Sequence, residues 1–367
     1  MKTWTLEPRD PLVVRDGRPP AAGMPQARSL DFPWPSTIAG LARTQAGRDR
    51  DGHFDTTRIP ELLAQEVAGP WLTEIDTAGN ATSVAFPAPR DAVAFRAADG
   101  VVSIHRLAPG AFVAGAGSSL PPGMQPVMFV GEVPAGKATA GPAFWRWREL
   151  EPWLLQGRAP PPNFGIAALE HERRFHVAID PQTGTAADGK LFASDGLRFW
   201  NLTPTSLENQ RLALGFSTGE ALSLRADAVK LGGEGRISYL RDGGRAFPSC
   251  PAALLDTLAR TRRGRVVLAT PGIFDNGSVP RTATIFGATI LATRVDRPAV
   301  ISGWDHASDQ PKPSRRMAPA GSVYWVDLSG IPDMGAWLSS AWGRPVQEQA
   351  DQDRRDGFGL ALVGGWT

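Results

Sequence analysis

The chain has 367 residues and a formal net charge of +2, with 42% hydrophobic and 21% charged residues. That balance excludes wholesale disorder, and the length calls for more than one ordinary domain. A single cysteine, Cys250, excludes an intramolecular disulfide framework and any cysteine-based zinc site. The uncharged stretch from Leu107 to Val130 is interrupted by Pro109, Pro121, Pro122 and Pro126, so it does not read as a membrane span. Glu7, Arg9 and Asp10 come too early for a signal peptide, and a cytoplasmic protein is expected. Arg supplies 34 of the 39 basic residues. Guanidinium forks onto phosphate and stacks on bases, which suits a nucleic-acid binder. The abundance of Ala, Gly, Pro and Arg together is equally what GC-rich codons give. Gly (40) and Pro (33) make about one residue in five, so short elements and many turns are expected.

In chain order, Met1 to Leu6 alternates Trp4 and Leu6 with polar neighbours, as a strand does. A loop rich in Arg, Gly and Pro covers Arg9 to Asp31. Ile38, Leu41 and Ala42 have helical spacing behind Ser36 and Thr37, either of which could be the N-cap. Residues 83 to 107 alternate weakly around Asp99-Gly100, a hairpin pattern. Phe175, Val177 and Ile179, then Pro181 to Gly184, then Leu191 and Phe192 form a second hairpin pattern. Beyond about 205 the pattern restarts. Leu254, Leu255 and Leu258 predict a helix, and Val266 to Ala269 a buried strand. Met334, Trp337, Leu338, Ala341 and Trp342 predict a helix ended by Gly343 and Pro345. Phe358, Leu360 and Leu362 alternate before Gly364-Gly365. The expectation is an α+β chain of two units, 1–205 and 206–367, each with a sheet backed on one face. No fixed-period repeat is visible.

Catalytic motifs are nearly present and then fail. Gly131 to Ala138 approximates a phosphate-binding loop after the apolar Val127 to Val130. Its magnesium-binding hydroxyl is replaced by Ala138, and Gly141-Pro142 blocks the required helix. Gly215-Phe-Ser217-Thr-Gly219 matches a nucleophile elbow, with Asp305 and His306 as partners. The preceding sequence lacks alternating strands and helices, so a serine hydrolase is a weak alternative. The five histidines include no zincin pair, and Asp351, Asp353 and Asp356 echo a calcium loop without its Gly and Glu. No catalytic residue, metal or cofactor is expected.

What remains is a set of glycine and arginine loops. Leu231-Gly232-Gly233-Glu234-Gly235-Arg236 could admit a phosphate close to backbone amides. Lys312-Pro-Ser314-Arg315-Arg316 concentrates three cations and a hydroxyl, and Pro319 to Ser322 follows. Gly357-Phe358-Gly359 and Gly364-Gly365 bracket the last strand. Trp145-Arg146-Trp147-Arg148 interleaves stacking planes with cations. Each also has a purely structural reading. Together, with no catalytic set beside them, they point to single-stranded RNA.

These blocks resemble the RAMP-superfamily subunit of type III-B (Cmr) CRISPR effectors that holds the crRNA 5′ tag. The resemblance rests on Pro8 to Leu12 with Arg15 to Pro19, Pro35 to Gly40, Leu231 to Glu234, and Ala269-Thr270-Pro271. It continues through Lys312 to Arg316 with Pro319 to Tyr324, and ends in Gly357 to Gly365. Residues 108–165 have no counterpart in it. The resemblance implies two ferredoxin-like (RRM-related) modules with long loop insertions, facing each other across a cleft. It implies a non-catalytic ribonucleoprotein subunit whose partners are the crRNA tag, the large polymerase-like subunit and a backbone RAMP subunit. Ser36 and Thr37 would then offer helix N-terminal amides to a phosphate, with Arg43 two turns on. Arg15 and Arg18 would clamp the tag, Gly232 and Gly233 would permit close approach, and Arg236, Lys312, Arg315 and Arg316 would supply charge. Ser314, Gly357, Phe358 and Gly359 complete the expected RNA-binding set, and Glu234 is expected to orient a neighbouring arginine. An alternative within the superfamily is a metal-independent endoribonuclease using His105, His171 or His176.

Overall fold

The computed structural model describes residues 1–15, 26–27, 29–97, 100–115, 117–202, 209–305 and 310–366. Arg18, Asp99 and His306 lie outside the described residues. The first sheet is built on β1 (Lys2–Pro8), β2 (Val67–Ile75), β3 (Asn209–Thr218) and β4 (Ile237–Asp242). Their order is β4-β1-β3-β2 with every neighbour antiparallel. Helix α1 (Pro35–Ala46) makes the crossover from β1 to β2. This is the ferredoxin-like 4-1-3-2 arrangement. Strand Ala81–Pro87 extends it beyond β2, Phe144–Arg146 beyond that, and Asp227–Lys230 lies outside β4.

The second sheet repeats the arrangement with β5 (Arg263–Leu268), β6 (Ala288–Arg294), β7 (Val323–Asp327) and β8 (Ala361–Gly365), in the order β8-β5-β7-β6. The duplication is topological and leaves no sequence period. In both modules a long insertion separates the second and third strands. In the first it includes hairpin 92–109, helix α2 (Trp147–Gln156) and hairpin 171–197. In the second it is hairpin 299–317. Helices α3 (Ala252–Thr261), α4 (Met334–Ala341) and α5 (Asp351–Arg355) follow the first module's last strand. The chain passes from first sheet to second between Asp242 and Arg263, so the expected division at 205/206 cuts the first sheet before β3 and β4.

Strand alternation explains the layers. Trp4, Leu6, Leu72 and Leu214 point toward Ile38, Ala39, Leu41 and Ala42 of α1. Trp71, Val84, Phe86 and Trp145 point the other way, into a core shared with Val267, Val323, Trp325, Leu360 and Leu362 of the second sheet. Leu150, Trp153 and Leu154 of α2 fill the space between. The second sheet's opposite face, with Val266, Leu268, Val326, Ala361 and Val363, packs on Leu254 and Leu258 of α3 and on Trp337 and Leu338 of α4. Both sheets are thus covered on two faces, where one covered face was expected. β8 is buried throughout because of this double covering. Gly364 leaves room for the Leu154 carbonyl of α2, and Gly365 for Thr257 of α3.

Polar contacts tie the modules together across and around the shared core. Arg265 of β5 and Asp91 of the first module are both completely buried and ion-paired. Asp91 also accepts from Trp153 Nε1 at 2.9 Å, and Arg265 donates to the Trp153 carbonyl. Arg90 N–H donates to the Gly321 carbonyl at 2.9 Å, where a side chain on Gly321 would strike the Ala88 carbonyl. The block Pro319 to Ser322 is therefore an intermodule clasp. The hairpin expected over 83–107 forms over 92–109, and Ala81–Pro87 belongs to the main sheet instead. Among the described residues, no helix is long and apolar enough to cross a membrane.

Candidate functional site

A cleft of about 880 Å³ opens between the modules. One wall is the entry to α1, with Phe32, Trp34 and Pro35, together with Ala168, Leu169 and His171. The other is Thr270, Pro271, Pro319 and Ala320, with Val300, Ser302 and Ser314 from hairpin 299–317. Its walls are chiefly proline, aromatic and aliphatic. A fixed surface of this kind accepts bases or rings at little cost in side-chain ordering.

The helix entry differs from expectation. The N-cap of α1 is Trp34, which makes no side-chain cap, and Pro35 occupies the first turn, where its missing N–H costs nothing. Ser36 and Thr37 are therefore inside the helix. Thr37 N–H is already bonded to the Trp34 carbonyl at 3.0 Å. Thr37 lines a second, smaller hollow of about 200 Å³ on the outer side of α1, shared with Gly40, Thr44, Arg48, Lys230 and Gly232. Ser36 lines neither hollow. Arg48 and Lys230, absent from the expected set, bring two exposed cations to this second hollow.

The expected cations separate into two kinds. Alternation along Gln310–Met317 puts Lys312, Ser314 and Arg316 on one face and Arg315 on the other. Ser314 lines the cleft. Lys312 and Arg316 are exposed and have no ion-pair partner among the described residues. Arg315 instead forks onto Asp353 of α5, at 2.7 and 2.9 Å. Arg43 is 7% exposed and is held by Asp356 at 2.5 Å and by the carbonyls of Gln65 and Arg355. Arg43 and Arg315 therefore hold α5 to α1 and to the hairpin, and neither presents a free guanidinium. The acids 351, 353 and 356 are arginine partners, since Asp351 holds Arg354. Sequence spacing alone could not find the Arg43 and Arg315 pairs, whose partners lie 313 and 38 residues away.

The glycine blocks serve the fold. Gly232 has φ +75°, and a Cβ there would collide with the Val13 carbonyl, while Gly233 N–H donates to that same oxygen at 2.7 Å. The loop is thereby clamped to the segment carrying Arg15, which is exposed beside Gly233. Glu234 accepts from Arg236 at 2.8 Å, the orienting contact expected of it, and this leaves Arg236 only 15% exposed. A Cβ on Gly357 would lie 2.6 Å from the Val67 carbonyl, across the module boundary. Phe358 is 1% exposed, packed with Ile273, Ile301 and Met317, so it cannot stack on a base. Gly359 N–H donates to Pro271, and its bare face abuts Gln349.

The remaining motifs resolve structurally. Trp145 is buried edge-on to Trp153 and Phe164. Arg146 holds Glu74 through two bonds of 2.8 and 2.9 Å. Burial raises the Glu74 carboxyl, but Arg146, with Gln210 and Ser83, outweighs it and holds the group below its usual range. Trp147 opens α2, a helix the sequence reading missed. Ser217 is the next-to-last residue of β3, paired with Thr3 on one side and Ala68 on the other, with 6% exposure. A serine paired on both sides within a strand is not at the strand-to-helix turn an elbow needs. No helix follows Gly131 to Ala138 before α2, as Gly141-Pro142 implied. Asp49, Asp51 and His53 have ligand atoms within 4.8 Å of one another, but all three are exposed and Asp49 caps the local turn.

Comparison with known proteins agrees with this architecture. The family model described as CRISPR-associated protein (Cas_Cmr3) matches residues 4–366. A chain of the Type III-B Cmr-beta assembly bound to cognate target RNA, solved by cryo-EM, is similar with TM-score 0.51 and 15% identity. The match covers 98% of this chain and 96% of that one. A chain of the same type of assembly with cognate target RNA and AMPPnP gives TM-score 0.48 and 14% identity over 88% and 86%. A chain of the type III-A Csm3-Csm4 subcomplex gives 0.39 and 9%, over 100% of both. No curated protein matches the chain. The first likeness supports the fold, and the match over nearly the whole length decides membership: this chain belongs to the Cas_Cmr3 family of CRISPR-associated proteins.

Proposed function

We propose that the chain is a non-catalytic RNA-binding subunit that anchors the repeat-derived 5′ tag of the crRNA in the intermodule cleft, while docking on the large signalling subunit and the first backbone subunit. The observation that carries this reading is a cleft with apolar, aromatic walls flanked by a hairpin face bearing Lys312, Ser314 and Arg316. Single-stranded RNA needs both features. Its unstacked bases take Phe32, Trp34 and the proline surfaces, and its phosphates take the two cations and the Ser314 hydroxyl. The first turn of α1 adds its positive end at the wall. Arg15, Arg48 and Lys230 offer a continuation along the outer side of α1.

The test is anisotropy titration of a tagged guide RNA against the full chain over a range of salt. Each single-strand phosphate contact contributes about 0.7 to the slope of log K against log salt. The pair Lys312→Ala and Arg316→Ala should therefore reduce the slope by about 1.4. Arg315→Ala should leave it unchanged, because its guanidinium serves Asp353. An unaltered slope in the double variant removes the hairpin from the site.

One observation favours a second reading, an endoribonuclease. Of the candidate histidines, His171 alone lines the cleft, with Nε2 3.0 Å from Asp31 Oδ1. His105 instead contacts Ser103 and Phe95, and His176 lies on Phe192 beside Ser194. A discrete metal-independent cut in repeat RNA that disappears in His171→Ala would establish that reading in place of the scaffold.

A further inference from the structure

We infer that Arg90 is the residue that grips a guide phosphate inside the intermodule cleft, an inference that rests on the reading of the cleft as the RNA site. Among the described residues that line the cleft, Arg90 is the only arginine or lysine. Lys312 and Arg316 flank the cleft without lining it. The other titratable groups on its walls are Asp31, His171 and Asp195. His171 Nε2 lies 3.0 Å from Asp31 Oδ1, and Asp195 lies 4.0 Å from Arg173. A phosphate near either acid would meet like charge in a partly enclosed space. Arg90, whose guanidinium is always protonated, is the place within the cleft where a phosphate gains a partner.

The neighbours of Arg90 leave its guanidinium fit for that task. Its main chain is tied across the module boundary through the Gly321 carbonyl, at 2.9 Å. Its side chain crosses the same boundary, with Nε 3.0 Å from Asp296 Oδ2. The other oxygen of that carboxylate, Oδ1, lies 3.3 Å from Nη1 of Arg294. Two guanidiniums share one carboxylate, so the cluster keeps a net positive charge and still attracts an anion. Nη1 and Nη2 of Arg90 bond to no described residue, and the side chain is 43% exposed. They remain as two donors able to fork onto phosphate. Anchoring at both main chain and Nε lowers the ordering cost of binding.

The experiment titrates tagged guide RNA with the full chain over a range of salt, for wild type, Arg90→Gln, Arg90→Lys and Arg294→Gln. One single-strand phosphate contact is worth about 0.7 in the slope of log K against log salt. Arg90→Gln should lose that much, with affinity down about tenfold. Arg90→Lys keeps the charge and should restore the slope, while affinity stays below wild type because an ammonium cannot fork. Arg294→Gln removes the same charge and a contact to the same carboxylate, but Arg294 does not line the cleft, so its slope should match wild type. An unchanged slope in Arg90→Gln overturns the inference. Equal losses in Arg90→Gln and Arg294→Gln overturn it too, since net charge alone would then explain them. A slope that Arg90→Lys fails to restore does the same, because the loss would be structural. A wild-type chain that binds no guide refutes the RNA reading itself; binding indifferent to Arg90 leaves that reading standing and removes this residue.

Discussion

Asp91→Ala should be among the most destabilising single substitutions in this protein. The carboxylate and its Arg265 partner are both fully buried, and Asp91 also accepts from Trp153 Nε1. Removing it leaves a guanidinium in the shared core with the Trp153 carbonyl as its remaining acceptor. Burial and then Arg265 already depress the affinity of Arg106 nearby for its proton, and Asp91 opposes that depression. The variant therefore leaves two cations uncompensated. Breaking a buried pair costs about 3–5 kcal/mol. At an m-value of about 3 kcal/mol per M, the urea midpoint should fall by roughly 1–1.7 M. Tryptophan fluorescence reports it directly, since Trp153 touches both partners. Replacing the pair together, Asp91→Leu with Arg265→Met, removes both desolvation penalties and should recover most of the loss. A single-variant cost below about 1 kcal/mol, or a double variant no better than the single, would refute this account of the core.

Other outcomes follow from the same contacts. The Glu74 carboxyl is held below the ordinary glutamate range, so its stabilisation is complete above that range and lost as pH falls through the lower folded value. Denaturation of Glu74→Gln should show a stability deficit at pH 7 that shrinks below about pH 4; a constant deficit would mean the carboxylate charge contributes nothing. Gly232→Ala combines a left-handed φ with a collision at the Val13 carbonyl and should cost about 1–3 kcal/mol by calorimetry. Arg315→Ala leaves the buried Asp353 carboxylate without its fork and should cost about 1–3 kcal/mol while sparing RNA affinity.

Local chemistry was legible in the sequence wherever short-range periodicity carries it. The strand at Trp4, the helix at Ile38 to Ala42, both hairpins and the helix at Trp337 all follow from spacing of apolar residues. The absence of a phosphate-binding helix was readable too, because Gly141-Pro142 forbids it locally. Helix α2 was hidden, since Pro152 and the mixed Trp-Arg start mask its period. What the tertiary structure alone decided was the meaning of the arginines and glycines. Arg43, Arg315 and Arg316 look alike in sequence, yet Asp356 and Asp353, at the end of α5 and within it, hold the first two, while the third has no ion-pair partner among the described residues. Phe358, Gly357 and Gly359 read as a ligand loop and are packing at the module boundary. A side chain's type is set by its codon, but its freedom to meet a ligand depends on neighbours that only the folded chain brings near.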